Sequence, residues 1–284
     1  MSTTKERDIF SQASKTYYTS TLLFPRDVRE DVFRLYSFVR VADDYVDAVP
    51  QQVVEFEDLI AEYDRVAKLG VSELGVLETD NIDTRVARNM RSVELRHDFD
   101  PVWTRTFLAA MRADTLPTKY NTLDDTLRYV HGSAEVIGFM MAKLMNVPQG
   151  AMQAAAMQGR AMQYINFVRD IAEDIRLGRN YFPAVDLKKY DLPNLREATA
   201  KKRPDEFREF IRFELGRYRE WQKQADAGMH YIPRRYRLPI QTAAAAYGWT
   251  AREIERDPFV VYRRKVKPSR VRLIGMALMK AWSG

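Results

Sequence analysis

Apolar residues recur every three or four positions through most of this chain, whereas glycine and proline, which interrupt helices, number only 12 each in 284 residues. This spacing puts apolar side chains on one face of a helix, while a half-buried strand requires strict alternation. No strand–turn–strand pattern stands out along the chain. The sequence therefore predicts an all-α protein.

The local signals also suggest where the helices begin and end. Pro25 and Pro148 stand where a first helical turn tolerates proline, and Gly178 follows the end of a long helix. No low-complexity linker and no repeat of fixed period divides the chain, so we expect a single domain over residues 1–284. The predicted helices cover residues 4–22, 26–47, 53–68, 101–113, 122–144, 148–177, 204–228, 238–256 and 269–282.

The absence of cysteine and the scarcity of histidine restrict the chemistry of the chain. Disulfides, zinc–thiolate sites, iron–sulfur clusters and cysteine nucleophiles are all excluded. The three histidines, His97, His131 and His230, lack the spacing of metal ligands. Any metal is therefore expected to be a hard cation held by carboxylates.

Neither end of the chain nor its charge points to one partner. The first residues, MSTTKERDIF, do not resemble a secretory signal, and no apolar run approaches the roughly 18 residues of a membrane span. We expect an intracellular, cytoplasmic protein. The net charge of +6 attracts nucleic acid, anionic lipid and polyphosphate substrates alike. The dense basic stretch from Arg263 to Arg272 is equally well explained by a solvated face.

Two predicted helices end in a pair of aspartates four residues apart. Asp43 and Asp47 end the 26–47 helix, and Asp170 and Asp174 end the 148–177 helix. Carboxylates at this spacing share a helix face and repel each other, and they also oppose the helix dipole. A bound divalent cation would reverse these penalties. One such pair is usually a solvated face, whereas two together are explained equally well by a metal site and by solvated helix ends.

The second of these helices also has the composition of a cavity wall. The stripe that carries Asp170 runs back through Asn166 and Gln163 to Gly159 and Ala155. Oxygen ligands thus lie at one end and small residues below them. This pattern is typical of a cavity with a metal-binding rim.

The same residues carry a resemblance to a known family. YSFVRVADDYVD (36–47) and QYINFVRDIAEDIRLGRNYFP (163–183) resemble the two aspartate motifs of the trans head-to-head prenyl synthases. This family comprises squalene, dehydrosqualene and phytoene synthases, and the chain is most similar to the phytoene synthases. Weaker agreement covers Ser14–Tyr17, Tyr129–Gly138, Tyr247 and VVYRRKVKPSR (260–270). The resemblance implies an isoprenoid-synthase-type helical bundle with a central prenyl channel.

The resemblance also implies an activity and a set of site residues. It implies a prenyltransferase that depends on Mg²⁺, with Mn²⁺ as a substitute, and joins two allylic diphosphates head to head. The implied metal ligands are Asp43, Asp47, Asn166, Asp170 and Asp174. The implied catalytic residues are Asp43, Asp47, Asp170, Asp174 and Tyr129. The implied substrate contacts are Lys15, Tyr17, Thr21, Phe33, Arg40, Gln163, Asn166, Arg169, Tyr247, Arg264 and Lys265. One departure is Glu135, where the family commonly has a Val-Ala-Gly-type stretch, and its role stays open.

The residue types suit this chemistry. Magnesium acts as a Lewis acid on the leaving diphosphate, and Arg and Lys neutralise the remaining charge. The allylic cation that forms must be kept from water in an apolar channel. Any single aromatic or methionine is as well explained by core packing, so only the set is informative: Phe33, Tyr36, Tyr129, Phe167 and the stretch 151–162.

Substrate length and alternative functions are less constrained. At the expected channel floor, the small Thr21 favours geranylgeranyl diphosphate and phytoene, whereas Phe33 still adds bulk. Farnesyl diphosphate, with dehydrosqualene or squalene as product, is the alternative. No nicotinamide-binding signature is present, so NADPH is not expected. A head-to-tail synthase or terpene cyclase fits the NFVRDIAED arrangement less well, and a catalytically silent helical assembly factor would be free to lose metal ligands.

Possible macromolecular partners are similarly open. No nucleic-acid partner is expected, and the oligomeric state is not indicated. The segment SRVRLIGMALMKAW (269–282) combines basic and apolar residues, which suits either core packing or the surface of a membrane.

Overall fold

The computed structural model describes residues 20–77 and 81–283, and every regular element in these ranges is helical. This confirms the predicted all-α class. The α-helices are α1 (Arg26–Asp47), α2 (Val53–Val66), α3 (Val71–Val76), α4 (Ile82–His97), α5 (Pro101–Ala113), α6 (Leu123–Val130), α7 (Val136–Leu144), α8 (Met152–Arg176), α9 (Ala184–Lys189), α10 (Glu197–Lys202), α11 (Pro204–Ala227), α12 (Arg234–Arg256), α13 (Val260–Arg263) and α14 (Arg270–Ser283).

The long predicted helices agree with the structure to within a few residues, with three differences. The predicted helix 122–144 is two helices, α6 and α7, joined by a π-helical turn at His131–Glu135. A 3₁₀ turn at Gln149–Ala151 precedes α8. Helix α12 begins at Arg234, so Pro239 lies inside it rather than at its start. The predicted helix 4–22 lies almost wholly outside the described residues.

Helix α4 was missed by the sequence prediction, as were the short helices α3, α9, α10 and α13. The buried apolar stripe of α4, Val86, Met90 and Val93, is narrow and interrupted by arginines. Glu94 completes its buried face as a polar group, accepting hydrogen bonds from Tyr63 (2.7 Å) and Thr104 (2.6 Å). A helix that buries a carboxylate carries a weak hydropathy signal, which explains the error.

Helix α8 lies at the centre of the fold and packs against α7, α11 and α12, while α1 packs against α2, α4, α5 and α7. One face of α8 is buried in the core through Tyr164, Ile165 and Val168. The other face, which includes Gly159 and Asn166, lines a cavity. The central helix therefore serves both the core and the cavity.

Glycine permits close approach on the cavity face of α8. A Cβ atom at Gly159 would lie 2.3 Å from the Ala134 carbonyl oxygen, and one at Gly138 would lie 2.3 Å from the Ala155 carbonyl oxygen. Any side chain at either position forces the helices apart, because these contacts are to backbone atoms. The two glycines thus set the distance between α8 and the segment from the π-helical turn to α7.

Buried ion pairs fix the contacts around α8. Glu135, whose role the sequence left open, is buried and accepts hydrogen bonds from Arg160 on α8 (2.5 Å) and from His131 (2.9 Å). It therefore ties the π-helical turn to α8. On the opposite side of α8, Glu214 accepts a hydrogen bond from Tyr164 (2.6 Å) and pairs with Arg217 (3.0 Å).

Replacement of Gly159 by alanine is expected to lower the free energy of unfolding by about 1–3 kcal/mol, because the added methyl group overpacks the interface. Gly216 in α11 is the matched control, since a Cβ there meets nothing within 4 Å. Gly216→Ala is expected to raise the free energy of unfolding by about 0.5–1 kcal/mol through helix propensity. Urea denaturation measures both changes, and equal effects at the two sites would contradict the close approach.

Candidate active site

A cavity of about 750 Å³ lies between α1, α7, α8 and α12. Its mouth is lined by charged residues at the C-terminal ends of α1 and α8 and in the segment before α14. Its interior is lined by apolar and small residues, which include Leu35, Ile137, Met141, Ala155, Gly159, Met162 and Ala243. The cavity is thus polar where it opens and apolar along its depth.

The structure brings both predicted aspartate pairs to the same mouth. Asp43 and Asp47 reach it from α1, and Asp170 and Asp174 reach it from α8. Arg179, in the loop after α8, bridges the two helix ends, because its Nη1 contacts the Asp47 carboxylate and its Nη2 donates to the Val46 carbonyl oxygen (2.6 Å). The sequence placed Arg179 in a motif but gave no sign of this contact.

Cations alternate with the carboxylates around the mouth. Arg40 contacts both Asp43 (2.7 Å) and Asp44. Arg169 binds both oxygens of Asp170, at 2.9 and 2.5 Å. Lys265 contacts Glu173 and lies 3.6 Å from Asp170. The mouth therefore offers carboxylate oxygens and guanidinium and ammonium groups side by side.

These cations do not balance the carboxylates evenly. Burial, followed by the charge of Asp47, raises the pKa of Asp43 to about 7. Burial, followed by the charge of Asp170, raises the pKa of Asp174 to about 8. Burial acts in the same direction on Asp170, but Arg169 and nearby lysines outweigh it and lower its pKa. The ionised forms of Asp43 and Asp174 are thus disfavoured, and a bound cation would stabilise them.

The donors at the mouth fit a hard divalent cation. Asn166 lines the cavity beside the carboxylates, and its side-chain oxygen is buried without a hydrogen-bond partner. Within residues 20–77 and 81–283, no three acidic or histidine side chains are grouped closely enough to hold a metal ion by themselves. Mg²⁺ commonly takes only one or two protein carboxylates and completes its shell with water and substrate phosphates. The dispersed oxygen donors suit that mode of binding.

A cluster of tyrosines around one carboxylate lies inside the mouth. The Tyr129 hydroxyl donates to Asp114 Oδ2 at 2.5 Å, and the Tyr181 hydroxyl donates to Asp114 Oδ1 at 2.9 Å. Phe167 stacks on the Tyr181 ring at 4.4 Å between centroids. Asp114 and Tyr181 were missed by the sequence analysis as site residues. Asp114 is a single aspartate outside both aspartate motifs, so its spacing carried no signal in the sequence.

Comparison with known proteins places the chain in a family. Residues 10–272 match the family model described as squalene/phytoene synthase. The chain belongs to the squalene/phytoene synthase family. This confirms the predicted resemblance and the predicted enzyme class, a prenyltransferase of isoprenoid biosynthesis.

Individual members of the family show the same similarity. The chain is 28% identical to the 15-cis-phytoene synthase of Paracoccus sp. (strain N81106 / MBIC 01143) over 97% of this chain and 89% of that protein. It is 32% identical to the 15-cis-phytoene synthase of Enterobacter agglomerans over 82% and 79% of the two chains.

Solved structures in the family share the fold at lower identity. A dehydrosqualene synthase in complex with a ligand superposes with a TM-score of 0.83 at 19% identity, over 99% of this chain and 96% of that chain. A squalene synthase from Alicyclobacillus acidocaldarius gives a TM-score of 0.74 at 19% identity, over 91% and 94% of the two chains. These similarities confirm the predicted isoprenoid-synthase-type fold.

Most of the site residues implied by the squalene/phytoene synthase motifs line the cavity. Beside the four aspartates, these are Thr21, Arg40, Tyr129, Gln163, Asn166, Arg169, Tyr247 and Lys265. Lys15 and Tyr17 lie outside the described residues. The structure thus gathers residues from α1, α6, α8, α12 and the segment before α14 around one space.

Two of the implied substrate contacts lie elsewhere. Phe33 is buried but does not line the cavity, although Val32 and Tyr36 do. Successive helical residues point about 100° apart, so Phe33 departs from the direction of Val32. Arg264 is exposed and lies 3.9 Å from Glu253, outside the cavity lining. The sequence missed Lys267, which does line the mouth.

The unequal pKa values predict opposite effects for two similar substitutions. The folded protein holds the Asp174 proton up to about pH 8, whereas an unfolded chain releases it near pH 4. Without divalent cations, stability therefore falls as the pH rises between these values. At pH 8, Asp174→Asn is expected to raise the free energy of unfolding by about 1–2 kcal/mol, after allowance for solvent screening.

Asp170→Asn is the matched comparison and is expected to destabilise the protein at pH 8, because Arg169 loses its partner. Denaturation at pH 5 and pH 8 in the presence of a chelator measures both variants. A loss of stability in Asp174→Asn at pH 8 would contradict the unbalanced charge at the mouth.

Proposed function

We propose that this protein condenses two molecules of geranylgeranyl diphosphate head to head to form phytoene, through a cyclopropyl diphosphate intermediate. The observation that carries the proposal is one cavity with both aspartate pairs at its mouth and an apolar interior. The phytoene synthases among its relatives support this choice of substrate. A diphosphate suits the charged mouth, and a prenyl tail suits the interior.

The mouth would hold the diphosphates. The oxygen donors that fit Mg²⁺, or Mn²⁺ in its place, are Asp43, Asp47, Asn166, Asp170 and Asp174. When bound, the metal supplies the Lewis acid that stabilises the leaving diphosphate. Arg40, Arg169, Lys265 and Lys267 add positive charge at the mouth, and guanidinium groups suit diphosphate oxygens because they donate two parallel hydrogen bonds.

The interior would guide the cation formed after the diphosphate leaves. Its apolar lining excludes water, which would otherwise capture the cation as an alcohol. The rings of Tyr129, Phe167 and Tyr181 line the cavity close to the mouth, and aromatic faces stabilise cations. The first carbon of this cation then bonds to the double bond of the second substrate, which is the step that leads to the cyclopropyl intermediate.

The condensation of two farnesyl diphosphates is a second candidate. It is favoured by the fold shared with a dehydrosqualene synthase and a squalene synthase. The two candidates use the same mouth and differ only in the length of tail that the cavity accepts. Product identification therefore distinguishes them directly.

The purified protein with Mg²⁺ and geranylgeranyl diphosphate is expected to form phytoene, identified by mass spectrometry. Asp43→Asn and Asp170→Asn are expected to lower turnover by more than about 100-fold. Loss of a group that only supports a metal ligand costs up to about 100-fold, and loss of a ligand itself should cost more. Asp64→Asn is the control, because this exposed carboxylate pairs with Arg105 away from the cavity. Full activity in either mouth variant, with an unchanged circular dichroism spectrum, would refute the proposal.

Thr21 is expected to influence tail length, because it is small, buried and part of the cavity lining. Thr21→Phe is expected to shift the ratio of kcat/KM towards farnesyl diphosphate by about 1–3 kcal/mol, the range for one poorly fitting group. Phe33→Leu is the matched control, since Phe33 is buried outside the cavity. It is expected to change stability but not the preference. An unchanged preference in Thr21→Phe would show that tail length is set elsewhere.

We also propose that α14 lies against an anionic membrane surface. One face of α14 packs on α12 through Leu273 and Met276. The other face exposes an apolar stripe, Val271, Ile274, Leu278 and Trp282. Within the described residues, no helix is both long and apolar enough to cross a membrane. A surface helix would give the prenyl tails of the substrates and the hydrocarbon product a short path to lipid.

Flotation with anionic liposomes tests this contact. Replacement of both Leu278 and Trp282 by serine is expected to lower liposome binding by about tenfold or more. Burial of each apolar side chain in the membrane surface would contribute about 1.5–3 kcal/mol to binding. Val185→Ser, at an exposed site on α9, is the control. Equal flotation of the wild-type protein, the double variant and Val185→Ser would argue against the membrane contact.

A further inference from the structure

Asp114 is a buried carboxylate that the charged mouth does not explain. It follows the last residue of α5 and accepts the hydroxyl hydrogens of Tyr129 and Tyr181 on its two oxygens, at 2.5 and 2.9 Å. All three residues line the cavity. The carboxylate and the two phenols that donate to it therefore border the cavity together.

The C-terminal end of α5 is an unfavourable position for a buried carboxylate. A negative charge at the C-terminus of a helix opposes the helix dipole, and burial adds to the cost. Within the described part of the chain, no Lys, Arg or His forms an ion pair with the Asp114 carboxylate. Arg179 approaches the Asp114 carbonyl oxygen instead, at 3.4 Å. The charge is stabilised instead by the two phenol hydroxyls and, at longer range, by Arg179.

The cluster lies next to the place where the reacting carbons must sit. The Arg179 guanidinium contacts the carboxylate of Asp47 and also approaches the Asp114 carbonyl oxygen. Gln51 Nε2 likewise bridges the carbonyl oxygens of Val46 and Asp114, at 2.8 Å to each. Since the first carbon of each substrate is bonded to its diphosphate, the reacting carbons lie near these rim residues.

We propose that Asp114 is a positioning residue that orients Tyr129 and accepts, through Tyr129, one of the two protons released in the reaction. This inference rests on the proposed function. Condensation of two geranylgeranyl diphosphates to phytoene releases two diphosphates and two protons, and each proton leaves a first carbon. When that C–H bond breaks, its electron pair forms the ring bond or the central double bond. The proton binds to the Tyr129 oxygen as the Tyr129 proton moves to Asp114 Oδ2.

The relay explains how a neutral phenol can take up a proton. Burial, together with the nearby Asp114, raises the pKa of Tyr129 well above its usual range, so the phenol does not ionise beforehand. It can accept a proton only if it passes its own proton on. Burial raises the pKa of Asp114 to about 6 against the opposing effects of Arg179 and the two phenols. The carboxylate is thus ionised near neutral pH and more basic than an ordinary aspartate.

The charged and titratable groups that face Asp114 come from several elements. Arg179 lowers the pKa of Asp114 and Asp47 raises it, and the two phenols share its oxygens. The pKa values of nearby groups respond to Asp114 in turn: Asp43, Tyr120, Tyr129, Asp174, Arg179 and Tyr181. A pH profile would mix these titrations, so an isotope effect is the cleaner test.

Asp114→Asn is tested with geranylgeranyl diphosphate carrying deuterium at its first carbon. We expect kcat to fall by about 10²–10⁴-fold, the usual contribution of a general base, with KM little changed. The isotope effect on hydrocarbon formation is expected to rise above the wild-type value, because C–H cleavage becomes limiting. Diphosphate release is expected to exceed hydrocarbon formation, with the difference recovered as prenyl alcohol.

Two further variants, Tyr129→Phe and Asp114→Glu, test the relay even if Asp114→Asn folds poorly. Tyr129→Phe removes the other half of the relay and is expected to raise the isotope effect in the same way. Asp114→Glu keeps the carboxylate and is expected to restore part of kcat. In the double variant Asp114→Asn/Tyr129→Phe, the loss of kcat is expected to be no larger than in either single variant, because the two residues act as one unit.

Glu214 provides a matched control. It too is a buried carboxylate that accepts a tyrosine hydroxyl hydrogen, from Tyr164 at 2.6 Å, but neither residue lines the cavity. Glu214→Gln is expected to lower the melting temperature and to leave the isotope effect at the wild-type value. If Asp114 had only a structural role, Asp114→Asn would likewise lower the melting temperature and leave the isotope effect at the wild-type value.

The outcomes separate this inference from the function on which it rests. If the wild-type protein forms no head-to-head hydrocarbon from either diphosphate, the proposed function is wrong and this role is refuted with it. If wild type forms phytoene and the isotope effect is unchanged in Asp114→Asn or Tyr129→Phe, only the role of Asp114 is refuted. A raised isotope effect in both variants, absent from Glu214→Gln, supports the relay.

Discussion

The repulsion between carboxylates at the cavity mouth is the constraint on which the rest of the structure depends. Asp43, Asp47, Asp170 and Asp174 line one mouth, where burial, followed by repulsion from Asp47 and Asp170, raises the pKa values of Asp43 and Asp174. Both pairs oppose the dipole of their helix, and the contacts of Arg40 with Asp43 and of Arg169 with Asp170 offset part of this cost. Arg179 holds the two helix ends together by contacting Asp47 and the α1 backbone. The favourable packing of α1 and α8 along the rest of their length must therefore outweigh the electrostatic cost of the carboxylates at the mouth.

The cavity imposes a second cost, because its apolar walls are not filled by core side chains. Gly138 and Gly159 reduce this cost on one side by allowing α7, α8 and the π-helical turn between α6 and α7 to pack backbone against backbone. The opposite face of α8 packs tightly through Tyr164, Ile165 and Val168, which are fully buried. The central helix can thus border an open channel without losing its place in the core.

Buried polar groups fix the arrangement of the surrounding helices. Glu135 ties the π-helical turn to Arg160, and Glu94 joins α4 to Tyr63 on α2 and Thr104 on α5. Such contacts tolerate little displacement, because a buried polar group without its partner is costly. They fix α4 against α2 and α5, and the π-helical turn against α8.

The sequence by itself determined the helical class, most of the long helices and both aspartate pairs, because these depend on spacing along a single helix. It did not reveal α4, whose buried face includes the carboxylate of Glu94. Its motifs were sufficient for the family, since they are continuous stretches of chain. Local periodicity thus accounts for what was predicted correctly.

Only the tertiary structure decided which side chains meet across helices. It paired Arg179 with Asp47, which are 132 positions apart, and Tyr129 with Asp114, which are 15 apart. It also placed Phe33 outside the cavity and Lys267 at its mouth. A periodic pattern shows which residues share a helix face but not which neighbour that face meets. That choice depends on how all the helices pack at once, and no single segment of the sequence contains it.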